Sequence, residues 1–585
     1  MSNSRFALWV FACALVPQYV FGSDSSSIES IALLPEKPDW RVAVTGNVQT
    51  KPVDLPYGAA FITEGKLITA YNNDSKLLWM QHFSDEPAGI FATDRTGALY
   101  IAIGKTKIAK INTDGRVLWT TDTKTDIAFP ATLGLDGRIF VSGESSITCI
   151  GTKGVIRWQI DLSVEDASAK IAFPLVNLDD GSVLIFVESS KVAGGIIAKR
   201  ISPYGGALTE SILKQKILAV AETRSGAVIL FASGELALFA LTKTQSLHEV
   251  WRTKISANAN IAHSKLFVND GKLFFASFDG AEKGGGGKGG TFYALDSASG
   301  AIRTSAEIPA IDFGSLLFCG FSDLGPDYPA EFIAIDSKTA FAFSPSKNAM
   351  AWAVSLTAKK DWKYVCYAGD GMLVFTESNW VISGYRVRKP EKRMTAPTNF
   401  SPVARTKSEK NAYRNNFVLQ GKALTVSPRP DLQFVQDVSQ ALKTGFFGDD
   451  ERVWLKKIHE VLALRNYRVA SALPESVQAP YHLSSSEMAA LVPLMAELGS
   501  AEFLGEIALL LHTERDTRVL AAAIKAAGII AYDPDGELLA GLNAVLLRGG
   551  DIGPRFYAIL RESALSIIRY MGGNYAKTAG RVLRY

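Results

Sequence analysis

The chain has little cysteine, little histidine and almost no net charge. Four cysteines stand among 585 residues: Cys13, Cys149, Cys319 and Cys366. Cys13 falls in an N-terminal apolar run, and the remaining three cannot pair completely. No disulfide framework is therefore expected, and these cysteines are expected as small apolar fillers of strands. The six histidines (His82, His248, His263, His459, His482, His512) are scattered, with no His-Glu-x-x-His arrangement and no short-range pair. No metal site is assigned to them. Lys plus Arg total 62 against 58 Asp plus Glu, a formal charge of +4. That balance excludes the strong basic footprint of nucleic-acid binding.

Long apolar runs are also missing. Residues 6–16 form an 11-residue apolar core behind Arg5, followed by Val20-Phe21-Gly22 and a polar stretch. This is the pattern of an export leader, and it is shorter than the ~20 residues that span a bilayer. Residues 1–22 are thus expected to be a signal peptide, with no later transmembrane segment. Cys13 is read as a hydrophobe of that leader rather than as a lipid anchor, which would tether the exported chain to a membrane.

What is present is regularly spaced tryptophan: Trp40, Trp79, Trp119 and Trp158 recur at intervals of 39, 40 and 39 residues. Gly115 and Gly154 stand four residues before Trp119 and Trp158. Between Trp79 and Trp119 lie four short apolar runs, at 89–93, 98–103, 107–111 and 117–120, punctuated by Gly and Asp turns. Four strands per ~40 residues make one propeller blade. The frame continues to Trp251 and Trp352, with Glu210 and Thr304 standing where tryptophan is expected, after Gly206 and Gly300. The count is eight. The last unit has only three runs (363–367, 372–376, 380–387), and its fourth strand is expected from residues 40–45.

Beyond residue 388 the strand pattern stops. Residues 389–428 are rich in Lys, Arg, Pro, Asn, Ser and Thr and are expected to be a linker. From 429 to 585 the apolar spacing is helical, with helices expected at 450–464, 485–498, 501–512, 516–531, 536–548 and 554–572. The stretch 518–530 is echoed 38 residues later, which resembles HEAT-type α-solenoid repeats. The fold expected is an all-β eight-bladed β-propeller (23–388) followed by an all-α HEAT-like domain.

The glycine turn followed by a strand carrying tryptophan resembles the quinoprotein-like propellers. This likeness implies that Trp40, Trp79, Trp119, Trp158, Trp251 and Trp352 dock each blade on its neighbour. The family has a branch of pyrroloquinoline quinone dependent dehydrogenases and a branch of noncatalytic scaffolds, such as the propeller lipoprotein of the outer-membrane β-barrel assembly machinery. The dehydrogenases commonly carry an adjacent cysteine pair and Glu, Asn and Asp around calcium. This chain has no Cys-Cys pair and no Cys-x-x-Cys-His, and Asp179-Asp180-Gly181 has the composition of a hairpin turn. Gly320-Phe321-Ser322-Asp323-Leu324 lacks the nucleophile-elbow glycine, and Lys288 in the run 284–289 is followed by Gly289 rather than Ser or Thr.

No catalytic residue, cofactor-binding residue or metal ligand is therefore assigned. The function expected is that of a noncatalytic exported scaffold of the cell envelope, binding protein partners of the periplasm or outer membrane and no nucleic acid. The alternative is a quinone-dependent dehydrogenase, or a small-ligand binder using the central channel.

Overall fold

Short β-branched and aromatic runs between Gly and Asx turns can bury themselves only by stacking sheets face to face. In the computed structural model, which describes residues 38–386 and 484–572 apart from short stretches within them, they form eight antiparallel sheets. The blades span residues 53–82, 87–122, 132–161, 170–213, 217–254, 264–308 and 318–355, and blade 8 combines 362–386 with Trp40–Ala43. The expected closure is observed: Trp40 pairs with Gly384 and Ala43 with Val381, antiparallel. Blade 4 departs from four strands, because Lys170–Ile171 and Val176–Asn177 both pair with Val183–Glu188. The leader, the linker at 389–428, the helix expected at 450–464, His459, His482, Asp179-Asp180-Gly181 and residues 284–288 lie outside the described residues.

First strands of neighbouring blades touch one another around the ring, including Val53–Leu55 with Trp362–Tyr367 across the closure, so the first strand is innermost. Second and third strands are buried on both faces. The apolar core is divided among the seams: among the described residues, eight hydrophobic clusters each join two adjacent blades. Cys149, Cys319 and Cys366 lie on strands of blades 3, 7 and 8 with free thiols. Burial pushes the Cys319 thiol up to about 12 and Cys366 well above its usual value, so both stay protonated and unreactive.

The C-terminal region holds α1 (Ser485–Gly499), α2 (Leu504–Thr513), α3 (Thr517–Ile530), α4 (Glu537–Leu547) and α5 (Ile552–Met571). α1, α3 and α5 pack side by side in one layer, with α2 and α4 in a second. Ser484 and Glu487 form a reciprocal capping box at the start of α1. The Asp516 carboxylate caps α3 by accepting from the N–H groups of Arg518 and Val519. Ala526 and Ala527 are buried between the helices, and Gly528 allows close approach of α5, since an added Cβ would lie 2.9 Å from Ser563 Cα.

Candidate interaction surfaces

Among the described residues, the outer hairpins of six blades carry a residue with positive φ four positions before the tryptophan site: Ser75, Gly115, Gly154, Gly205, Gly300 and Asn348. At the four glycines the same residue is the platform for the tryptophan of the preceding blade. A Cβ added to Gly115 would lie 2.4 Å from Trp79, and one added to Gly154 would lie 2.7 Å from the Trp119 ring. Gly205 and Gly300 meet Trp158 and Trp251 in the same way. The indole N–H then reaches the turn backbone: Trp40 donates to the Asn73 carbonyl at 2.9 Å, Trp119 to Thr152 at 2.7 Å and Trp251 to Ser297 at 3.0 Å. Thr121 and Thr253, two residues on, donate to the carbonyls of Gly154 and Gly300. Trp352 packs into the seam between blades 7 and 8.

The register corrects one expectation. In every blade with an observed outer-strand tryptophan hairpin, a one-residue bulge precedes the tryptophan; in blade 4 the residue after that bulge is Thr209, opposite Arg200, and not Glu210. The turn glycine is correspondingly Gly205 rather than Gly206, since Gly205 has φ +84. Glu210 instead pairs with Lys199 at 2.8 Å.

The Nε1 atoms of Trp79 and Trp352 are buried without an acceptor, whereas Trp119 has one. Replacing Trp119 by Phe should therefore destabilise the ring by about 1 kcal/mol more than replacing Trp79 by Phe. Denaturant midpoints of the two variants would show this, and equal losses would mean that the hydrogen bond contributes nothing.

A second surface joins the ring to the helices. Strand direction alternates within a blade, so turns between first and second strands and between third and fourth strands share one face of the ring. The helical domain sits on that face over blades 2 and 3. Tyr532, which follows the left-handed Ala531 at the end of α3, covers Gly137, where a Cβ would lie 2.3 Å from its ring. Tyr570, in the last turn of α5, donates to the Thr152 carbonyl at 2.6 Å, the oxygen that also accepts from Trp119. Arg116 donates to the Arg569 carbonyl at 2.7 Å, placing a cation at the negative end of α5.

At the centre of this seam is Lys110, 1% exposed, on the third strand of blade 2. Its Nζ lies 4.9 Å from the ring of Tyr100, 4.6 Å from Tyr532 and 5.0 Å from Tyr570, and 3.6 Å from the Asp94 carboxylate. Asp94 also accepts from Tyr100 Oη at 3.0 Å and from the N–H groups of Thr96 and Ala98. Burial and the Asp94 charge push the Tyr100 phenol well above its ordinary value, so it remains a donor. A buried ammonium is tolerable here because three ring faces and a carboxylate replace its water.

Next to Tyr532, the fully buried Asp533 accepts from Leu538 N–H at 3.0 Å and Leu539 N–H at 2.9 Å, closing the N-terminus of α4. Burial raises its pKa from 3.8 to about 7, with Glu537 and Asp535 adding to the rise and the two N–H groups opposing it. The folded state then holds a proton that the unfolded chain has released. The helical domain should accordingly lose stability as pH rises from about 4 to about 7 and level off above. Asp533→Asn should flatten that slope in thermal melts, and a slope unchanged by the substitution would refute the assignment. Among the described residues, no group of three or more His, Cys, Asp or Glu is placed to hold a metal ion. Gly320 and Phe321 lie on the first strand of blade 7.

Residues 64–303, from blade 1 into the last strand of blade 6, match the family model described as outer membrane protein assembly factor BamB. That part of the ring is similar to this family. The match spans four of the six docking tryptophans, Trp79, Trp119, Trp158 and Trp251. Solved structures similar to the chain include BamB from Moraxella catarrhalis, 14% identical, covering 60% of this chain and 99% of that one with a TM-score of 0.38. The dihydro-heme d1 dehydrogenase NirN in complex with DHE is 11% identical over 61% of this chain and 78% of its own, with a TM-score of 0.39. The WD40 domain of SCAP from fission yeast is 11% identical over 59% and 94%, with a TM-score of 0.36. No curated protein matches the chain in sequence. The matched region holds four of the tryptophan clasps, whereas Trp40, Trp352 and the seam residues Tyr532 and Tyr570 lie outside it.

Proposed function

We propose that this protein is a noncatalytic, exported scaffold of the cell envelope that binds protein partners of the periplasm or outer membrane. The match of residues 64–303 to the outer-membrane assembly factor family carries this reading. An exposed apolar edge agrees with it: Leu77, Leu78 and Met80 stand on the outermost strand of blade 1 at 50%, 39% and 48% exposure. An outermost strand has an unpaired backbone edge, and apolar side chains on it favour partner binding. The helical domain's two layers are taken as HEAT-type repeats, which offer a second, continuous surface. Residues 1–22 are taken as the cleaved leader and 389–428 as the spacer between the surfaces.

A photo-crosslinker at position 80 in cells should capture an outer-membrane or periplasmic protein, whereas one at the seam-facing position 570 should not. Recovery of no envelope protein from position 80 would count against the scaffold. Adding pyrroloquinoline quinone and calcium to the purified protein should leave its melting temperature unchanged; a tight, stabilising complex would favour an enzyme.

A further inference from the structure

The ring and the helices each enclose their own core. Among the described residues, the helical hydrophobic cluster contains only side chains from 488 to 571, and no ring cluster includes any of them. What joins the two is of a different kind: the Arg116 and Tyr570 hydrogen bonds to backbone carbonyls, the ring of Tyr532 on Gly137, and the Lys110 ammonium among three tyrosines. A seam without a shared apolar core resembles an interface between separable domains rather than the interior of one.

We propose that the helical domain is a separable cap over the turn face of blades 2 and 3, latched by Lys110 of the ring between Tyr532 and Tyr570 of the helices. The latch is specific because its parts are divided. The ring supplies the cation, Asp94 and Tyr100, and the helices supply the two rings that complete the enclosure. Separation leaves Lys110 paired with Asp94 and Tyr100, so opening strands no unpaired charge. It uncovers Gly137, Thr152 and Arg116 on the turn face of the ring. Docking also stiffens blade 3, because the Thr152 carbonyl receives both the Trp119 clasp and Tyr570. Cap and clasp are thereby coupled.

Hydrogen exchange of the full chain tests this with one variant on each side, Lys110→Met and Tyr570→Leu. Both should raise exchange at least tenfold at 111–116, 151–155 and 568–572. Exchange within α3 and in the second strands of the blades should stay unchanged. Tyr570→Leu lies outside the ring and keeps the test valid if Lys110→Met misfolds. Unchanged exchange at the seam in Tyr570→Leu would overturn the latch. A matching rise within α3 would show that the helices unfold on release and are no separable cap.

Discussion

Alanine in place of Gly154 will destabilise the ring by about 4 kcal/mol, whereas alanine in place of Gly65 will cost only about 1 kcal/mol. Both glycines have left-handed backbone, with φ +81 and +80, so the conformational penalty falls on both. They differ in what surrounds them. Nothing lies within 4 Å of a Cβ added at Gly65, whereas one at Gly154 would meet the Trp119 ring at 2.7 Å and Thr121 Oγ1 at 3.0 Å. Alanine there must lift Trp119 from its platform, weakening its bond to the Thr152 carbonyl and the Thr121 bond to Gly154. Denaturant midpoints of the two variants separate backbone strain from packing. Equal losses would mean that the platform contributes nothing beyond its dihedral angle.

This pairing of tryptophan with the next blade's glycine explains why the ring is so legible in the sequence. The repeat records one contact made again at successive seams, and each contact writes two letters. Where one letter is missing the other is free to change: blade 6 has Thr304 in place of tryptophan, and the platform position of blade 7 is Asn348 rather than glycine. The single register error has the same origin. Gly205-Gly206 offers two turn glycines, and only the bulge beside Ile201 shows which one carries the positive φ. The five helices from residue 485 onward were legible from apolar spacing and Gly or Pro stops, within a few residues at each end.

The seam was not legible, for a physical reason. Lys110 sits in the strand Lys107–Ile111, where two lysines in five residues suggest a solvated edge, yet this strand is the third of its blade and buried. The partners that desolvate it come from chain far away, the Tyr570–Thr152 contact being 418 residues apart. Tyr532 and Tyr570 at helix ends have no spacing signal, because nothing local requires an aromatic there. A charged side chain in a third strand was the only clue available, and Arg200, buried beside Ser182, shows that such a clue does not by itself mark a seam.

A chain lacking residues 1–45 will fail to form the closed ring, although blades 1 to 7 keep every one of their own strands. Trp40–Ala43 supplies the fourth strand of blade 8, so its removal exposes the edge of Val381–Arg386. It also removes the Trp40 bond to Asn73, the ladder contact of Val44 N–H with the Trp380 carbonyl, and the buried Val44 side chain from the blade 8 to blade 1 core. The following residues lose their anchor as well, since Val48 and Gln49 run directly on to pair with blade 1. Burying Val44 fully and Trp40 and Val42 in part contributes on the order of 4 to 7 kcal/mol, at ~1.5 to 3 kcal/mol for a fully buried side chain and less for a partly buried one. That is a large share of the stability of a typical domain, about 5 to 15 kcal/mol, so the open ring should not persist. The freed edge then becomes a template for other chains. Size-exclusion and denaturant titration should show association and a lost cooperative transition, both reversed by adding a peptide of residues 38–50. A monomeric truncated chain with an unaltered midpoint would mean that the ring closes without this strand.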